Sequence, residues 1–299
     1  MSLAQPSLRI HSVLYGNDLD GVSRAVHATA RAVAFAKEHG VLGRAEVRFG
    51  DCSPAPVLTL DGLDLLRKQN PDLDFIGYEF FDANLGSAAG QNRLMADFDA
   101  DYLLILNPDA FVAANTILEL LAALAVPGVG LAEARQLPFE HPKDYDATTG
   151  ETSWASTACA LVPAEVLRTV GGFDSDTFFL YCDDVDWSWQ IRLAGYRIVL
   201  RDSARVFHDK RLTNEGRWAV SSAEEFYSAE ASLLMAHKWG RPDLVKRYSA
   251  DLKSHGTPGQ RRAVKAFETR RAEGRLPTPV PGADRVSSFV NGAYAVHRY

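Results

Sequence analysis

The sequence predicts an α/β protein: a mostly parallel, Rossmann-like sheet flanked by helices, with a helical extension at its C-terminal end. Three observations predict it. Strand-like alternation and helix-like periodicity follow one another through the first hundred residues. The run Tyr102-Leu-Leu-Ile-Leu106 is continuously apolar and short, as a strand buried on both faces would be. Beyond His208 the pattern changes to helices joined by turns. Strands and helices alternating at this spacing build a doubly wound sheet, whose ligands lie beyond the carboxyl ends of the strands.

Taken in order, Leu8–Tyr15 alternates like a strand, and Asp20–Glu38 repeats apolar residues at Val22, Val26, Val33 and Ala36 before the stop at Gly40. Ala45, Val47 and Phe49 mark a second strand, ending at Gly50-Asp51-Cys52-Ser53, and Phe75–Phe81 a third. Gly86–Phe98 reads as a helix leading to the apolar strand. From about Val129 the pattern loosens, and Pro138 to Thr152 reads as a polar loop. Ala158–Val162 is a strand meeting a helix at Pro163, which stops near Gly171-Gly172. Asp183 to Ala194 reads as a helix capped by Gly195, followed by a strand at Tyr196–Leu200. Further helices are expected from Ser222-x-x-Glu225, read as a capping box, to Gly240, then over Pro242–Ser254 and Gln260–Glu273, before a Pro/Gly-punctuated extended tail. This divides the chain into a ligand-binding catalytic domain over 1–210 and a helical region with tail over 211–299.

Composition narrows the function. With 46% hydrophobic and 23% charged residues the chain is globular, and its net charge of −6 divides into −12 over residues 1–210 and +6 over 211–299. An acidic body does not suit nucleic-acid binding, whereas a divalent-cation site tolerates it. The basic C-terminal region has three readings: a solvated helix face, a peripheral contact with an anionic membrane, or a homodimer contact. Cys52, Cys159 and Cys182 are odd in number and far apart, with no CxxC pair, which points to a reducing cytoplasm. No signal-peptide layout opens the chain and no apolar run is long enough to span a bilayer, so a cytoplasmic protein, peripheral at most at the inner membrane face, is expected.

Chemistry-bearing residues gather after the strands. Asn107-Pro108-Asp109 follows the buried strand directly, so Asp109 either holds a metal in the crevice or serves as a turn and helix cap. Asp183, Asp184 and Asp186 put three carboxylates into four residues at a helix start, after Phe178-Phe179-Leu180-Tyr181. One or two would complement the helix dipole; three beside aromatic rings suit a general base in a partly desolvated pocket. His208 follows a strand, where the acidic groups also collect, although a single histidine is more often structural. In Asn84-Leu-Gly86-Ser-Ala-Ala-Gly90-Gln-Asn92, two glycines four apart open a helix whose N–H groups can meet phosphate oxygens. The spacing is neither the GxGxxG of dinucleotide folds nor a P-loop.

Together these segments resemble an inverting family 2 glycosyltransferase of the GT-A fold, in the rhamnosyltransferase-like branch. Asn84 to Asn92 is similar to the family's NxGxxxGxN segment, and Leu104-Ile-Leu-Asn107-Pro-Asp109 to its LxLNPD form of the DxD motif. Gly171-Gly-Phe-Asp174 with Phe178 to Asp186 resembles GGFDE-FFxYxEDVD, and Arg192-Leu-Ala-Gly195-Tyr196 followed by His208 resembles RxxxGY…H. The family's opening V-x-V-T-Y-N stands here as His11-Ser-Val-Leu-Tyr15-Gly16-Asn17, and its DNxS as Asp51-Cys52-Ser53. The resemblance implies transfer of a sugar, rhamnose or another hexose, with inversion, from a dTDP- or UDP-linked donor to a saccharide or lipid-linked acceptor. It implies Mn²⁺ or Mg²⁺ on Asp109 and His208, and Asp184 as base with Asp183 as the fallback. Tyr15, Asn17, Asp51, Asn84, Gly86, Asn92 and Asn107 become the expected donor contacts, and Trp154, Tyr181 and Asp186 the expected acceptor contacts. Two other readings compete: a catalytically inactive nucleotide-sugar-binding module, and a sugar-nucleotide pyrophosphorylase. The second would want a basic, glycine-rich loop after the first strand, where Tyr15-Gly-Asn-Asp18 carries no basic residue.

Overall fold

A computed structural model describes residues 5–141, 143–208 and 221–294. The expected boundary at 210/211 and the last five residues of the tail lie outside them. The strands are β1 (Leu8–Leu14), β2 (Ala45–Asp51), β3 (Phe75–Phe80), β4 (Tyr102–Leu106), β5 (Ala110–Val112), β6 (Val129–Leu137), β7 (Glu151–Thr152), β8 (Cys159–Pro163) and β9 (Arg197–His208). The helices are α1 (Leu19–Glu38), α2 (Leu60–Gln69), α3 (Gly86–Met95), α4 (Thr116–Leu124), α5 (Ala164–Val170), α6 (Asp183–Leu193), α7 (Ser222–Lys238), α8 (Pro242–His255) and α9 (Pro258–Ala272).

One mixed sheet runs β3-β2-β1-β4-β8-β6-β9-β5, with β7 against β9. β3, β2, β1 and β4 are parallel neighbours, as are β6 and β9, while β8 runs antiparallel to β4 and β6. The alternation in β4 shows how its apolar run is used. Leu104 and Leu106 enter a core with Val26 and Val33 of α1 and Leu120 of α4, while Leu103 and Ile105 enter a second core with Trp187 and Ile191 of α6. The sheet is therefore covered on both faces, as a continuous apolar run requires. A third core gathers α7, α8 and α9 around Trp154, Phe178 and Trp189.

Local signals set the helix ends. Asp18 accepts the Gly21 amide at 2.8 Å to open α1, and Gly195, at φ +94°, follows α6 where a Cβ would be strained. α9 has a full capping box between Thr257 and Gln260. In α7 the capping residue is Ser221 rather than Ser222: its backbone is extended and its hydroxyl accepts the Glu224 amide at 3.1 Å. The structure adds α2, α4, β5, β6 and β7 to the expected elements and lengthens the strand expected at Tyr196–Leu200. β6, where the sequence pattern loosens, runs through Glu133, Arg135 and Gln136, polar residues that look loop-like in sequence. Glu133 is tolerated inside because Lys143, reaching in from the 138–150 loop, pairs with it and donates to the Trp154 carbonyl at 3.0 Å. β9 continues through Arg201-Asp-Ser203, which face solvent and so break the apolar alternation.

Beside the sheet, Arg9 is 2% exposed and pairs with Glu46, Asp97 and Asp99, tying β1 and β2 to the segment before β4. Two residues on, His11 is fully buried, and among the described residues neither ring nitrogen has a hydrogen-bond partner. Burial, then the charges of Arg9 and Arg48, push its imidazole down to about 3. The sign follows from linkage: neutral His11 contributes stability above its unfolded value of about 6.5, and this is lost as pH falls towards 3, at about 1.4 kcal/mol per pH unit. In urea titrations at pH 7 and pH 5, wild type is expected to lose stability at the lower pH and His11→Leu to lose markedly less; equal losses would contradict this role.

Candidate active site

β1 and β4 are in register at His11 and Ile105, so Tyr15 and Asp109, each four residues further on, leave the same edge of the sheet from adjacent strands. At the β1 exit Tyr15 is 57% exposed, its amide donating to Asn17 Oδ1 at 2.9 Å, and the Gly16 amide donates to Ser53 Oγ at 2.8 Å. Asp51 has no exposed surface. Its carboxylate accepts the amides of Ser53 and Val57, each at 2.8 Å, and the Tyr78 hydroxyl at 2.5 Å. Burial pushes this carboxyl up, but those bonds outweigh it and hold it below the ordinary value. Asp51 thus shapes the loop after β2 from beneath, and the surface offered above it belongs to Tyr15 and Asn17.

The glycine segment opens α3 as expected, with a different contact. Asn84 Oδ1 accepts the Gly86 amide at 3.2 Å, and the Ser87 amide donates to the Phe179 carbonyl at 3.1 Å. A Cβ on Gly86, which has φ +73°, would lie 2.3 Å from that carbonyl oxygen. Glycine is required because the start of α3 packs directly on the aromatic segment before α6. Asn92 differs from its expected role. Its amide group donates to the Phe173 carbonyl and accepts the Phe173 amide, both at 2.8 Å, so it fastens α3 to the chain after α5.

Asn107, Asp109 and His208 come together. His208 Nε2 is 3.3 Å from Asp109 Oδ1 and 3.3 Å from Asn107 Nδ2, while its Nδ1 is 2.9 Å from Gln136 Oε1. The Gln136 carbonyl oxygen can only accept, so it fixes the proton on Nδ1 and leaves the Nε2 lone pair beside the Asp109 carboxylate. One imidazole nitrogen, one carboxylate oxygen and a carbonyl behind the ring make a donor set suited to a divalent ion. Among the described residues no group of three or more His, Cys, Asp or Glu is placed to hold a metal.

The third group precedes α6. Tyr181 and Cys182 both have left-handed backbone, at φ +64° and +57°, a conformation costing non-glycine residues of order 1–3 kcal/mol each. This double turn delivers Asp183 and Asp184 to the head of a helix with eight buried residues, Trp189 entering one core and Trp187 and Ile191 another. Asp183 and Asp184 are only 5% and 8% exposed, and Asp183 Oδ2 is buried without a hydrogen-bond partner among the described residues. Burial, then the neighbouring Asp184 charge, push the Asp183 carboxyl up to about 7, against the Ser87 hydroxyl, which favours the ionised form.

Two expected acceptor contacts prove to be interior. Trp154 has no exposed surface and packs in the C-terminal core with Lys143 Nζ 4.5 Å from its ring centre, so no acceptor can reach it in this conformation. Asp186 is 1% exposed and bonded to Lys238 Nζ at 2.8 Å and Trp239 Nε1 at 2.9 Å, so it is a structural anchor. Tyr181 is half-buried against the same core. Gln136 and Lys238 were not legible in sequence: each lies far along the chain from the group it supports, His208 and Asp186 respectively, and no motif marks it.

No protein-family model matches the chain. Over 105 residues it is 34% identical to N-acetylglucosaminyl-diphospho-decaprenol L-rhamnosyltransferase of Mycobacterium tuberculosis, a stretch covering 34% of this chain and 34% of that relative. The match thus spans about a third of the relative's length. Its fold is similar to that of the mannosyltransferase PcManGT of Pyrobaculum calidifontis, in complex with GDP-Man and Mn²⁺, with a TM-score of 0.58 and 17% identity, covering 94% of this chain and 78% of that one. It is also similar to GalNAc-T7 with UDP, GalNAc and Mn²⁺, with a TM-score of 0.62 and 13% identity, covering 92% of this chain and 55% of that one. S. aureus TarS gives 0.54 at 14% identity, over 82% of this chain and 42% of that one. The chain has the GT-A fold.

The raised Asp183 value carries a stability consequence. Ionising this group costs the folded chain stability as pH rises from its unfolded value near 4 towards about 7. Asp183→Asn is therefore expected to melt several degrees above wild type at pH 8 and to lose that advantage at pH 4.5. A melting temperature below wild type at pH 8 would contradict it.

Proposed function

We propose that this GT-A chain is an inverting glycosyltransferase that moves a sugar from a nucleoside diphosphate donor to an acceptor hydroxyl. The observation that carries the proposal is the head of α6, where a buried carboxylate with a raised proton affinity stands beside a second one on a strained turn. The raised proton affinity is that of Asp183, and a pair of nearly buried neighbouring carboxylates so tuned takes a proton from a hydroxyl at neutral pH more readily than exposed ones do. Nothing about the reading needs a covalent enzyme intermediate.

Asp184 is the proposed base, with Asp183 as the alternative. It removes the proton as the acceptor oxygen attacks the anomeric carbon from the side opposite the diphosphate. The carbon–oxygen bond to the diphosphate breaks in the same displacement, so the new linkage has the opposite anomeric configuration. Asp109 and His208 would hold Mn²⁺ or Mg²⁺, whose charge offsets that of the departing nucleotide. Tyr15 and Asn17 offer an exposed ring and a carboxamide to the base or ribose, with Asp51 acting through the loop that supports them. Mn²⁺ in two of the fold neighbours supports the cation, and the relative's name supports a rhamnosyl donor and a lipid-linked saccharide acceptor.

Thermal shifts with UDP-, dTDP- and GDP-sugars, with and without Mn²⁺, are expected to single out one donor that stabilises the chain only with the metal. No shift from any member of the panel would count against the whole reading. With that donor, Asp184→Asn is expected to lose transfer by at least a hundredfold while retaining metal-dependent donor binding; turnover at the wild-type rate would sink the assignment of the base.

A further inference from the structure

We infer that Lys238, at the end of α7, is a positioning residue for catalysis: its ammonium clamps both ends of the segment that aims Asp183 and Asp184. The inference rests on the proposed role of that pair. Lys238 Nζ is 2.7 Å from Asp174 Oδ2 and 2.8 Å from Asp186, and lies 5.5 Å from the centre of the Phe178 ring. The lysine side chain is 8% exposed and that of Asp186 2%. Trp239, the next residue, donates its indole N–H to Asp186 Oδ1 at 2.9 Å. One cation thus closes a loop of chain from Asp174 to Asp186, containing the two left-handed residues Tyr181 and Cys182 and both candidate bases.

The physical need for such a clamp is plain. Consecutive non-glycine residues in the left-handed region relax unless surrounding contacts over-determine them. Relaxation at 181 and 182 would swing residues 183 and 184 directly, since they follow without an intervening residue. The Ser87–Phe179 bond holds one side of the turn, and Gly171 accepts the Trp187 indole from further along α6. Lys238 ties Asp174, after α5, to Asp186 in the first turn of α6 through charged side chains, where the Trp187–Gly171 bond joins the same two ends only through a backbone carbonyl. Burial raises Asp186 and Lys238 opposes that rise, while the same ammonium helps hold Asp174 below its ordinary value, as expected of one buried cation serving two carboxylates. A misplacement of about 1 Å costs on the order of a hundredfold in rate. The clamp therefore makes α7, from the C-terminal region, a part of the catalytic apparatus.

The test uses the full chain with the donor found by thermal shift. Lys238→Met alone strands the buried Asp186 carboxylate and the half-buried Asp174, so it is paired with Asp174→Asn and Asp186→Asn to remove their charge; Trp239→Phe serves as a milder variant lacking one bond. Turnover, KM for donor and acceptor, melting temperature and metal-dependent donor binding are measured for each, well below its melting temperature. The triple variant is expected to bind donor within twofold of wild type while kcat falls at least thirtyfold, and Trp239→Phe to lose about fivefold in kcat with donor KM unchanged. A merely structural role predicts wild-type kcat in whatever fraction remains folded, and that result in either variant would overturn the inference. If the triple variant does not fold, Trp239→Phe decides alone. Losses in both variants alongside full turnover in Asp183→Asn and Asp184→Asn would instead overturn the assignment of the base.

Discussion

The constraint on which the molecule depends is the placing of three aspartates at the head of a helix that is buried on nearly every side. α6 cannot face its acidic end to water, because Trp187 and Ile191 pack into one core and Trp189 into another. Each carboxylate must therefore find an interior solution. Asp186 finds a lysine and an indole, Asp183 finds the Ser87 hydroxyl and a raised proton affinity, and the left-handed turn at Tyr181–Cys182 sets the direction in which the chain enters. Much else follows from this arrangement. Gly86 is needed because α3 must press on the carbonyl of Phe179, and α7 must end in Lys238 and Trp239 where it crosses α6.

The opposite demand governs the sheet edge. Asp109 is 44% exposed at its side chain and His208 11%, and the pair is held by strand geometry together with one buried carboxamide. Groups that must receive a charged, hydrated ligand are best kept open and rigid, whereas a base works best partly desolvated. The fold supplies both kinds of setting: Asp109 lies just past the end of β4 and His208 closes β9, while the turn before α6 lies beside aromatic side chains. Among the described residues no helix is long and apolar enough to cross a membrane.

The sequence reading succeeded where local chemistry and tertiary structure agree. β4 was legible from five consecutive apolar residues because both faces of that strand are covered, and α1 from its apolar spacing and the stop at Gly40. Asn107 and Asp109, just past β4, and His208, the last residue of β9, are neighbours because they sit at strand ends, which is where the sequence reading looked. Legibility failed where a polar residue is buried with a distant partner. Glu133 and Gln136 hide a nine-residue strand, since their partners Lys143 and His208 lie 10 and 72 residues away. Asn92 and Asp186 carry residue types common in ligand sites but spend their hydrogen bonds on the backbone of residue 173 and on Lys238 and Trp239. Trp154 reads as a sugar platform in sequence, yet a ring of that size with Lys143 above it fills the core. Spacing along the chain reports which side chains share a face and is silent on which of them are already bonded.

The central claim is a single displacement carried by a carboxylate at the head of α6, and the anomeric configuration of the product tests it most directly. The measurement is the one-bond carbon–hydrogen coupling at the transferred anomeric carbon, by nuclear magnetic resonance on product made before the free sugar can equilibrate. The account predicts a configuration opposite to that of the donor. A product with the donor's own configuration would contradict it, because one in-line attack by a deprotonated acceptor cannot return the carbon to its starting hand.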